Sequence, residues 1–290
     1  MPVRLTYRTT LIAAAIATGL LMLTWVAAAY IGPARQADGS ILIGFFDVAG
    51  HGGVKPIADQ IASLCDPIPY LLYAWIPILV ALLRGRPRVA LAIGVILLGA
   101  NVTTHVLKPL LAHPRPELLL GNTPFGAVKD TTIGAASWPS GHATAAMSFV
   151  LCAVLAAPQR ARPFVVAAGA VFAVAVCYSF LALGWHYPSD VLGGFLVATV
   201  WTLLAISWLL AVEHRELTPA TRSRARLWHE LGPSALTVLG AVVLALLIAL
   251  ARPHAVVTFA RTHEAFMLGA SVIGAVALAL ATGLMLAVRR

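Results

Sequence analysis

The sequence has few charged residues, few acidic ones in particular, and very little cysteine. Only 11% of its 290 residues are charged, whereas about a quarter of the residues in a soluble domain are. This deficit excludes an ordinary soluble globular domain. The three cysteines, Cys65, Cys152 and Cys177, form neither a disulfide framework nor a CxxC metal motif. A cleavable signal peptide is not predicted either, because the first apolar run, from Leu11 to Ile31, is too long and is typical of a retained signal anchor.

The chain has long apolar runs instead, and 60% of its residues are hydrophobic. Runs of about 17 to 25 residues recur along it, each long enough to cross a bilayer as a helix. We therefore predict an all-α fold, a polytopic transmembrane helical bundle that forms one integral membrane domain over residues 1–290. Hydropathy places about eight spans at residues 11–31, 68–83, 89–111, 142–157, 163–183, 189–212, 234–251 and 266–288.

The charges give the predicted spans an orientation. A net charge of +9 would indicate a nucleic-acid partner in a soluble protein, but here the charges lie in short loops and no such partner is expected. With the amino terminus in the cytoplasm, the inner segments hold thirteen arginines and three acidic residues, and the outer segments hold seven basic and eight acidic residues. The positive-inside rule then predicts that both termini are cytoplasmic. The Arg-, Ala- and Val-rich composition is typical of a GC-rich bacterial genome, which indicates a bacterial inner membrane.

The loop at residues 32–67 is predicted to lie on the outer side. It carries four acidic residues and is expected to contain a short amphipathic helix around Ile57–Leu64 at the interface. The acidic residues are Asp38, Asp47, Asp59 and Asp66.

Two basic residues stand on this acidic side, against the positive-inside preference. Lys108 ends the third span and Arg115 follows it, in a segment stiffened by prolines. A lysine at a span end is often only a topological anchor or a snorkelling side chain. Two cations in a rigid segment also make an anion site.

The stretch SWPSGHA, residues 137–143, predicts the start of the fourth span. Ser140 is well placed to cap the helix, and the backbone N–H groups that follow it can bind an anion. The same pattern also fits a simple helix-start turn. His142, in the first turn, is poorly placed for packing and well placed to donate a proton.

The stretch GWHYPSD, residues 184–190, starts the sixth span. Asp190 falls in the first turn, where the helix dipole favours a carboxylate, and His186 precedes it by four positions. If the backbone is near-helical, Asp190 can accept a hydrogen bond from one ring nitrogen and leave the other free as a nucleophile or base. A histidine–carboxylate cap of a loop is the structural alternative. A zinc site is a weaker one, because the HxxxD spacing and the nearby cations speak against it.

Taken together, these groups are the components of phosphoryl transfer without a metal. The cations and the N–H groups would bind phosphate oxygens and stabilise the spreading charge. One histidine would attack phosphorus and the other would protonate the leaving oxygen.

The three segments resemble the motifs of the type 2 phosphatidic acid phosphatase (PAP2) superfamily, over roughly residues 90–212. Residues 108–116 resemble its KxxxxxxRP motif, residues 139–142 match its PSGH motif, and residues 186–190 match the HxxxD end of its third motif. The resemblance implies a six-helix core in which residues 90–212 carry the chemistry, with no metal or other cofactor. It also implies roles: Lys108, Arg115 and the backbone at Ser140 and Gly141 bind phosphate, His142 is the general acid, His186 the nucleophile, and Asp190 its orienting partner.

One position departs from the family pattern. The third motif normally begins Ser-Arg, with the arginine six residues before the nucleophilic histidine, and Phe180 stands there instead. Losing one charge-assisted contact costs about 1.5–3 kcal/mol of phosphate binding. Nearby groups that could compensate are His105, His113 and Lys129, although none of them occupies the motif position.

The sequence therefore predicts a membrane lipid-phosphate phosphatase that acts at the outer face through a phosphohistidine. Its substrate would be a polyprenyl pyrophosphate, phosphatidic acid or phosphatidylglycerol phosphate, and its other partners would be membrane lipids. A lipid phosphotransferase and a non-catalytic lipid-binding or transport relative are the alternatives. The last two spans lie outside the resemblance and either support the core or form a dimer contact.

Overall fold

The computed structural model describes residues 6–114, 133–213 and 224–288, and this part of the chain is built from α-helices. A single turn of 3-10 helix, Ser63–Cys65, separates the third and fourth of them. The helices are α1 (Tyr7–Tyr30), α2 (Gly32–Ala49), α3 (Val54–Ala62), α4 (Pro67–Ala74), α5 (Ile76–Leu83), α6 (Pro87–Leu110), α7 (Gly141–Ala156), α8 (Arg162–Ala182), α9 (Pro188–Val212), α10 (Arg224–Ala251), α11 (Pro253–Thr262) and α12 (Glu264–Ala287).

The predicted all-α polytopic membrane fold is confirmed. Among the described residues, α1, α6, α8, α9, α12 and the Trp228–Ala251 part of α10 are long and apolar enough to cross a membrane. The predicted span at 68–83 is the second half of a broken helix, Val54–Cys65 followed by Pro67–Leu83, which bends by 56°. The predicted span at 142–157 is α7, whose 16 residues extend about 24 Å.

Two helices occupy segments that hydropathy does not mark as spans. The sequence predicts one short helix in the loop at 32–67, and α3 corresponds to it, but the 18-residue α2 precedes it. Helix α2 forms because it packs against α8 and α12, where Phe45 contacts the rings of Tyr178 and Phe266 at 5.3 and 4.8 Å. The other is α11, between α10 and α12, and none of its residues is buried.

Helix α7 lies in the middle of the bundle. Its sequence, GHATAAMSFVLCAVLA, is apolar on every face, which is typical of a helix that is buried on all sides. Helices α5, α6, α8, α9 and α12 pack around it, and Met147 and Val154 on α7 are completely buried. The start of α7 is therefore fixed by neighbours on most sides.

The bundle has two ends, which differ in chemistry. Helices α6 and α8 finish, and α7 and α9 begin, at the same end, which we call the site end. The end of α1 lies there too, because the indole N–H of Trp25 donates to the carbonyl of Leu111 (3.0 Å). At the opposite end Arg86 donates to the Leu155 carbonyl (3.1 Å) and Arg162 to the Val288 carbonyl (3.0 Å).

Candidate active site

The amino terminus of α7 forms the floor of the candidate site. As the sequence predicts, Ser140 is the N-cap residue of α7, and its hydroxyl oxygen accepts from the Ala143 N–H (3.3 Å). The Ser140 N–H donates to the backbone carbonyl of Asp190 (3.0 Å), which joins the turn to the start of α9. The predicted phosphate-binding residues Ser140 and Gly141 therefore lie at a helix start, where backbone N–H groups favour an anion.

His186 and Asp190 form the predicted pair. The carboxylate oxygen Oδ2 of Asp190 lies 3.2 Å from Nδ1 of His186 and accepts from the Tyr187 N–H at 3.0 Å. Asp190 is completely buried and His186 is 6% exposed. Because an ionised carboxylate only accepts hydrogen bonds, Nδ1 of His186 carries a proton and donates it to Asp190, and Nε2 is the nitrogen that can act as the nucleophile.

Glycines bring α9 against the start of α7. A Cβ atom on Gly194 would lie 2.7 Å from the Ser140 carbonyl oxygen, and one on Gly193 would lie 2.7 Å from the Trp138 indole nitrogen. The turn that leads from α8 to His186 also needs a glycine, because Gly184 has a φ of +73°, a conformation that residues with a side chain rarely adopt. The two histidine-bearing segments are therefore held by close backbone packing.

His142 faces His186 across the site. The centroids of their rings are 6.4 Å apart. The ring of Phe180, the residue in place of the family arginine, lies 5.2 Å from the His186 ring and 5.9 Å from the His142 ring, and it is completely buried. Trp185 covers His142 at 5.5 Å. The missing cation is thus replaced by an apolar wall that contacts both histidines.

Asp66, which the sequence analysis assigned only to an acidic loop, reaches His142. Its Oδ1 atom lies 3.0 Å from Nε2 of His142. The two residues are 76 positions apart in the sequence, so no local pattern could have revealed the contact.

Asp38 is a second carboxylate that sequence reasoning missed. It lies on α2, is 6% exposed, and accepts from the backbone N–H of Ser189 (2.9 Å) and from the Ser189 hydroxyl. Ser189 precedes Asp190 in the first turn of α9. Asp38 therefore fixes the helix start that carries the His186–Asp190 pair.

The predicted cations divide between described and undescribed parts of the chain. Lys108 lies in the last turn of α6 and is close enough to Asp190 and His142 to interact with both electrostatically. Arg115 and Lys129 lie outside the described residues. His113 packs against the Tyr30 ring at 4.8 Å.

A cavity of about 510 Å³ leads from the site along the bundle. It lies between α4 and α5 on one side and α6 on the other. Lys108, Gly141 and His142 line one end of it, with His105 close by on α6. The remainder of the wall is mostly apolar and includes Leu71, Trp75, Ile78, Leu97 and Leu98.

The described residues do not form the zinc site that the sequence left as an alternative. No three histidine, cysteine or acidic side chains in residues 6–114, 133–213 and 224–288 are grouped as metal ligands. Each candidate histidine instead has its own carboxylate partner.

Comparisons with known proteins identify the family of this region. The model of the PAP2 superfamily matches residues 89–213, which include α7, α8, α9 and nearly all of α6. Residues 89–213 belong to the PAP2 superfamily. The predicted family is thus confirmed, and the PAP2 region contains all three motifs.

A curated relative matches a similar length of chain. It is an undecaprenyl-diphosphatase from Sulfolobus acidocaldarius, 28% identical over 155 residues, which are 51% of this chain and 72% of the relative. No solved structure matches the chain.

Proposed function

We propose that this PAP2 protein is a membrane phosphatase that hydrolyses a lipid phosphate or pyrophosphate through a phosphohistidine at His186. The observation that carries the proposal is the placement of the two histidines. The His186–Asp190 pair faces His142 at the start of α7, at the polar end of a long apolar cavity.

The reaction has two steps. Nε2 of His186 attacks phosphorus while the bond between phosphorus and the lipid oxygen, or the bridging oxygen of a pyrophosphate, breaks. That oxygen takes a proton from His142. Water then attacks the phosphohistidine and gives a proton to His142, the bond between phosphorus and Nε2 of His186 breaks, and inorganic phosphate leaves with both histidines restored.

The other predicted residues would stabilise the charge. Lys108, Arg115 and the backbone N–H groups at Ser140 and Gly141 would bind the phosphate oxygens, as donors that are in place before the charge develops. Asp190 would hold the His186 tautomer and stabilise the cationic ring of the phosphohistidine. No residue in this scheme requires a metal ion.

The cavity favours a lipid substrate. Its apolar wall between α4, α5 and α6 would contact a hydrocarbon chain, while Lys108 and His142 at its end would face the phosphate. A polyprenyl pyrophosphate is the first substrate to test, since the curated relative is named an undecaprenyl-diphosphatase. Phosphatidic acid and phosphatidylglycerol phosphate fit the same chemistry.

The proposed topology has both termini in the cytoplasm and the site end on the extracytoplasmic side of the bacterial inner membrane. The arginines around the loops at the opposite end support it, because the positive-inside rule places such loops in the cytoplasm. They are Arg84, Arg86, Arg88, Arg160 and Arg162. In this arrangement residues 1–290 form one membrane domain and residues 90–212 its catalytic core.

The same phosphohistidine would serve a lipid phosphotransferase, the second candidate. The observation that favours it is Phe180, which puts an apolar ring where the family places a phosphate-binding arginine. A scaffold that only binds lipids is less favoured, because His142, His186 and Asp190 are assembled in one site.

The test is phosphate release by detergent-purified protein. The substrates are a polyprenyl pyrophosphate, phosphatidic acid and phosphatidylglycerol phosphate, with and without a chelator. We expect His186→Ala to abolish release and the acid-labile phosphoenzyme, and the chelator to have no effect. The matched control is His254→Ala on α11, an exposed histidine far along the chain from the motifs. Unchanged release by His186→Ala would refute the nucleophile, and inactivation by the chelator would revive a metal site.

A further inference from the structure

The structure contains a second histidine–carboxylate pair, which the family motifs do not include. Asp66 Oδ1 lies 3.0 Å from Nε2 of His142. Asp66 is the N-cap residue of α4, a position where aspartate usually accepts from the helix backbone, yet its side chain makes no such capping bond. The carboxylate is directed to His142 instead.

The backbone holds Asp66 in this place. Its N–H donates to the Ser63 carbonyl (3.0 Å) and its carbonyl accepts from the Tyr70 N–H (2.9 Å). The hydroxyl of Tyr70 in turn contacts that of Ser148 on α7 at 3.3 Å. The bend between the two halves of the broken helix is thereby tied to the helix that carries His142.

The charges around His142 explain why a carboxylate matters there. Burial is the largest effect that disfavours a positive charge on His142, and Lys108 on α6 and a protonated His186 before α9 add to it, so the pKa of His142 lies below its ordinary value. The start of α7 acts in the same direction, because the amino end of a helix is electropositive. Asp66 opposes these effects through its hydrogen bond and its charge, and it offsets a part of them.

The contact with Asp66 determines which ring nitrogen of His142 can act as the proton donor. A carboxylate only accepts, so Nε2 of His142 must donate to Asp66. A general acid must also carry a second proton that it can release, and in His142 this proton is on Nδ1. His142 can therefore serve as the acid only as an imidazolium, the form that the carboxylate stabilises.

We propose that Asp66 is a positioning residue that holds Nε2 of His142 and stabilises the imidazolium form of the ring, so that Nδ1 donates to the leaving oxygen. This inference rests on the proposed phosphatase function. Asp66 lies between Cys65 and Pro67, which both line the cavity, so the bend of the broken helix joins the lipid-facing wall to the proton donor.

The first test compares two substrates whose leaving groups differ in how much they need a proton from a general acid. Phosphatidic acid releases a basic alkoxide and needs a proton, whereas p-nitrophenyl phosphate releases a weakly basic phenolate. We expect Asp66→Asn to lower kcat for phosphatidic acid by about 10- to 100-fold and to change kcat for p-nitrophenyl phosphate by less than about threefold. KM for the anionic substrates should not rise, because the substitution removes a negative charge. The alkaline limb of the pH profile should move to lower pH, and Asp66→Glu should restore part of the activity.

The matched control is Asp59→Asn, which removes an exposed carboxylate from α3, one turn of backbone away from the bend. It should leave both kcat values unchanged. Asp66 is itself 45% exposed in its side chain, and exposed ion pairs contribute little stability, so the thermal midpoints of both variants should stay close to that of the unsubstituted protein. An equal loss of kcat on both substrates would show a merely structural role and overturn the proposal.

The second test does not depend on turnover. In protein labelled with ¹⁵N-histidine, the ring signals of His142 are assigned by their absence from His142→Gln. We expect the fraction of His142 present as imidazolium at neutral pH to fall in Asp66→Asn and to be retained in Asp66→Glu. An unchanged fraction in Asp66→Asn would overturn the proposal. If the fraction falls but the unsubstituted protein hydrolyses none of the substrates, the pairing stands and the proposed phosphatase function fails.

Discussion

The packing of α9 against the start of α7 gives the sharpest test of how the site is built. A Cβ atom on Gly194 would lie 2.7 Å from the Ser140 carbonyl oxygen, 2.8 Å from Ala143 Cβ and 2.9 Å from the Thr144 nitrogen. All three neighbours are backbone or Cβ atoms, so no side-chain rotation can relieve the contact. Gly194→Ala must therefore separate the two helices.

The size of the separation follows from these distances. Ordinary van der Waals contact begins at 3.4 Å, so the closest neighbour must move away by about 0.7 Å. Overpacking of this kind costs about 1–3 kcal/mol of stability. The shift also moves the phosphate-binding turn relative to the His186–Asp190 pair, and a misplacement near 1 Å can cost about 10²-fold in rate. We expect kcat to fall by about 10- to 100-fold.

The assay is phosphate release from the best lipid substrate, with a thermal unfolding curve for each variant. Gly19→Ala on α1 is the matched control, because a Cβ atom there meets no atom within 4 Å. It should keep full activity. Full activity in Gly194→Ala, with an unchanged unfolding midpoint, would refute the argument that close backbone packing positions the site.

Two further predictions concern the reacting groups. Asp190→Asn removes the charge that holds the His186 ring, so kcat should fall by up to about 10⁴-fold in a phosphate-release assay. Full activity in that variant would leave Asp190 only a helix cap. Phe180→Arg restores the family's cation beside both histidines, and one charge-assisted contact of about 1.5–3 kcal/mol should tighten inhibition by inorganic phosphate about 10- to 150-fold. Phe180→Leu is the control and should leave the inhibition constant for phosphate unchanged. If Phe180→Arg also has the inhibition constant of the unsubstituted protein, phosphate binds away from the position of Phe180.

The spans and the local pairs were predictable from the sequence because their signals are short-range. Long apolar runs mark membrane helices, and the four-residue spacing of His186 and Asp190 is enough for one side chain to reach the other. The N-cap role of Ser140 follows in the same way from its place before an apolar helix. These features need no knowledge of the tertiary structure.

The rest depends on contacts between distant segments. Helix α2 contains Arg35, Gln36, Asp38 and two nearby glycines, so its mean hydropathy stays below that of a span, and its packing on α8 and α12 is what stabilises it. Asp38 pairs with Ser189, 151 residues away, and Asp66 with His142, 76 residues away. The sequence marks all these carboxylates only as acidic residues in a loop.

The distribution of polar groups bears on which substrates the site can select. Lys108 and the two histidines meet at one end of the bundle, while the cavity that leaves His142 runs along apolar side chains of α4, α5 and α6. A small soluble phosphate ester would contact only the polar end of the cavity and would make no contact with its apolar wall. An amphiphile would contact both, and the contacts along its chain would add binding energy that Phe180, in place of a cation, does not supply. The loss of one phosphate contact and the presence of a long apolar cavity therefore favour the same kind of substrate, one bound by its chain as much as by its charge.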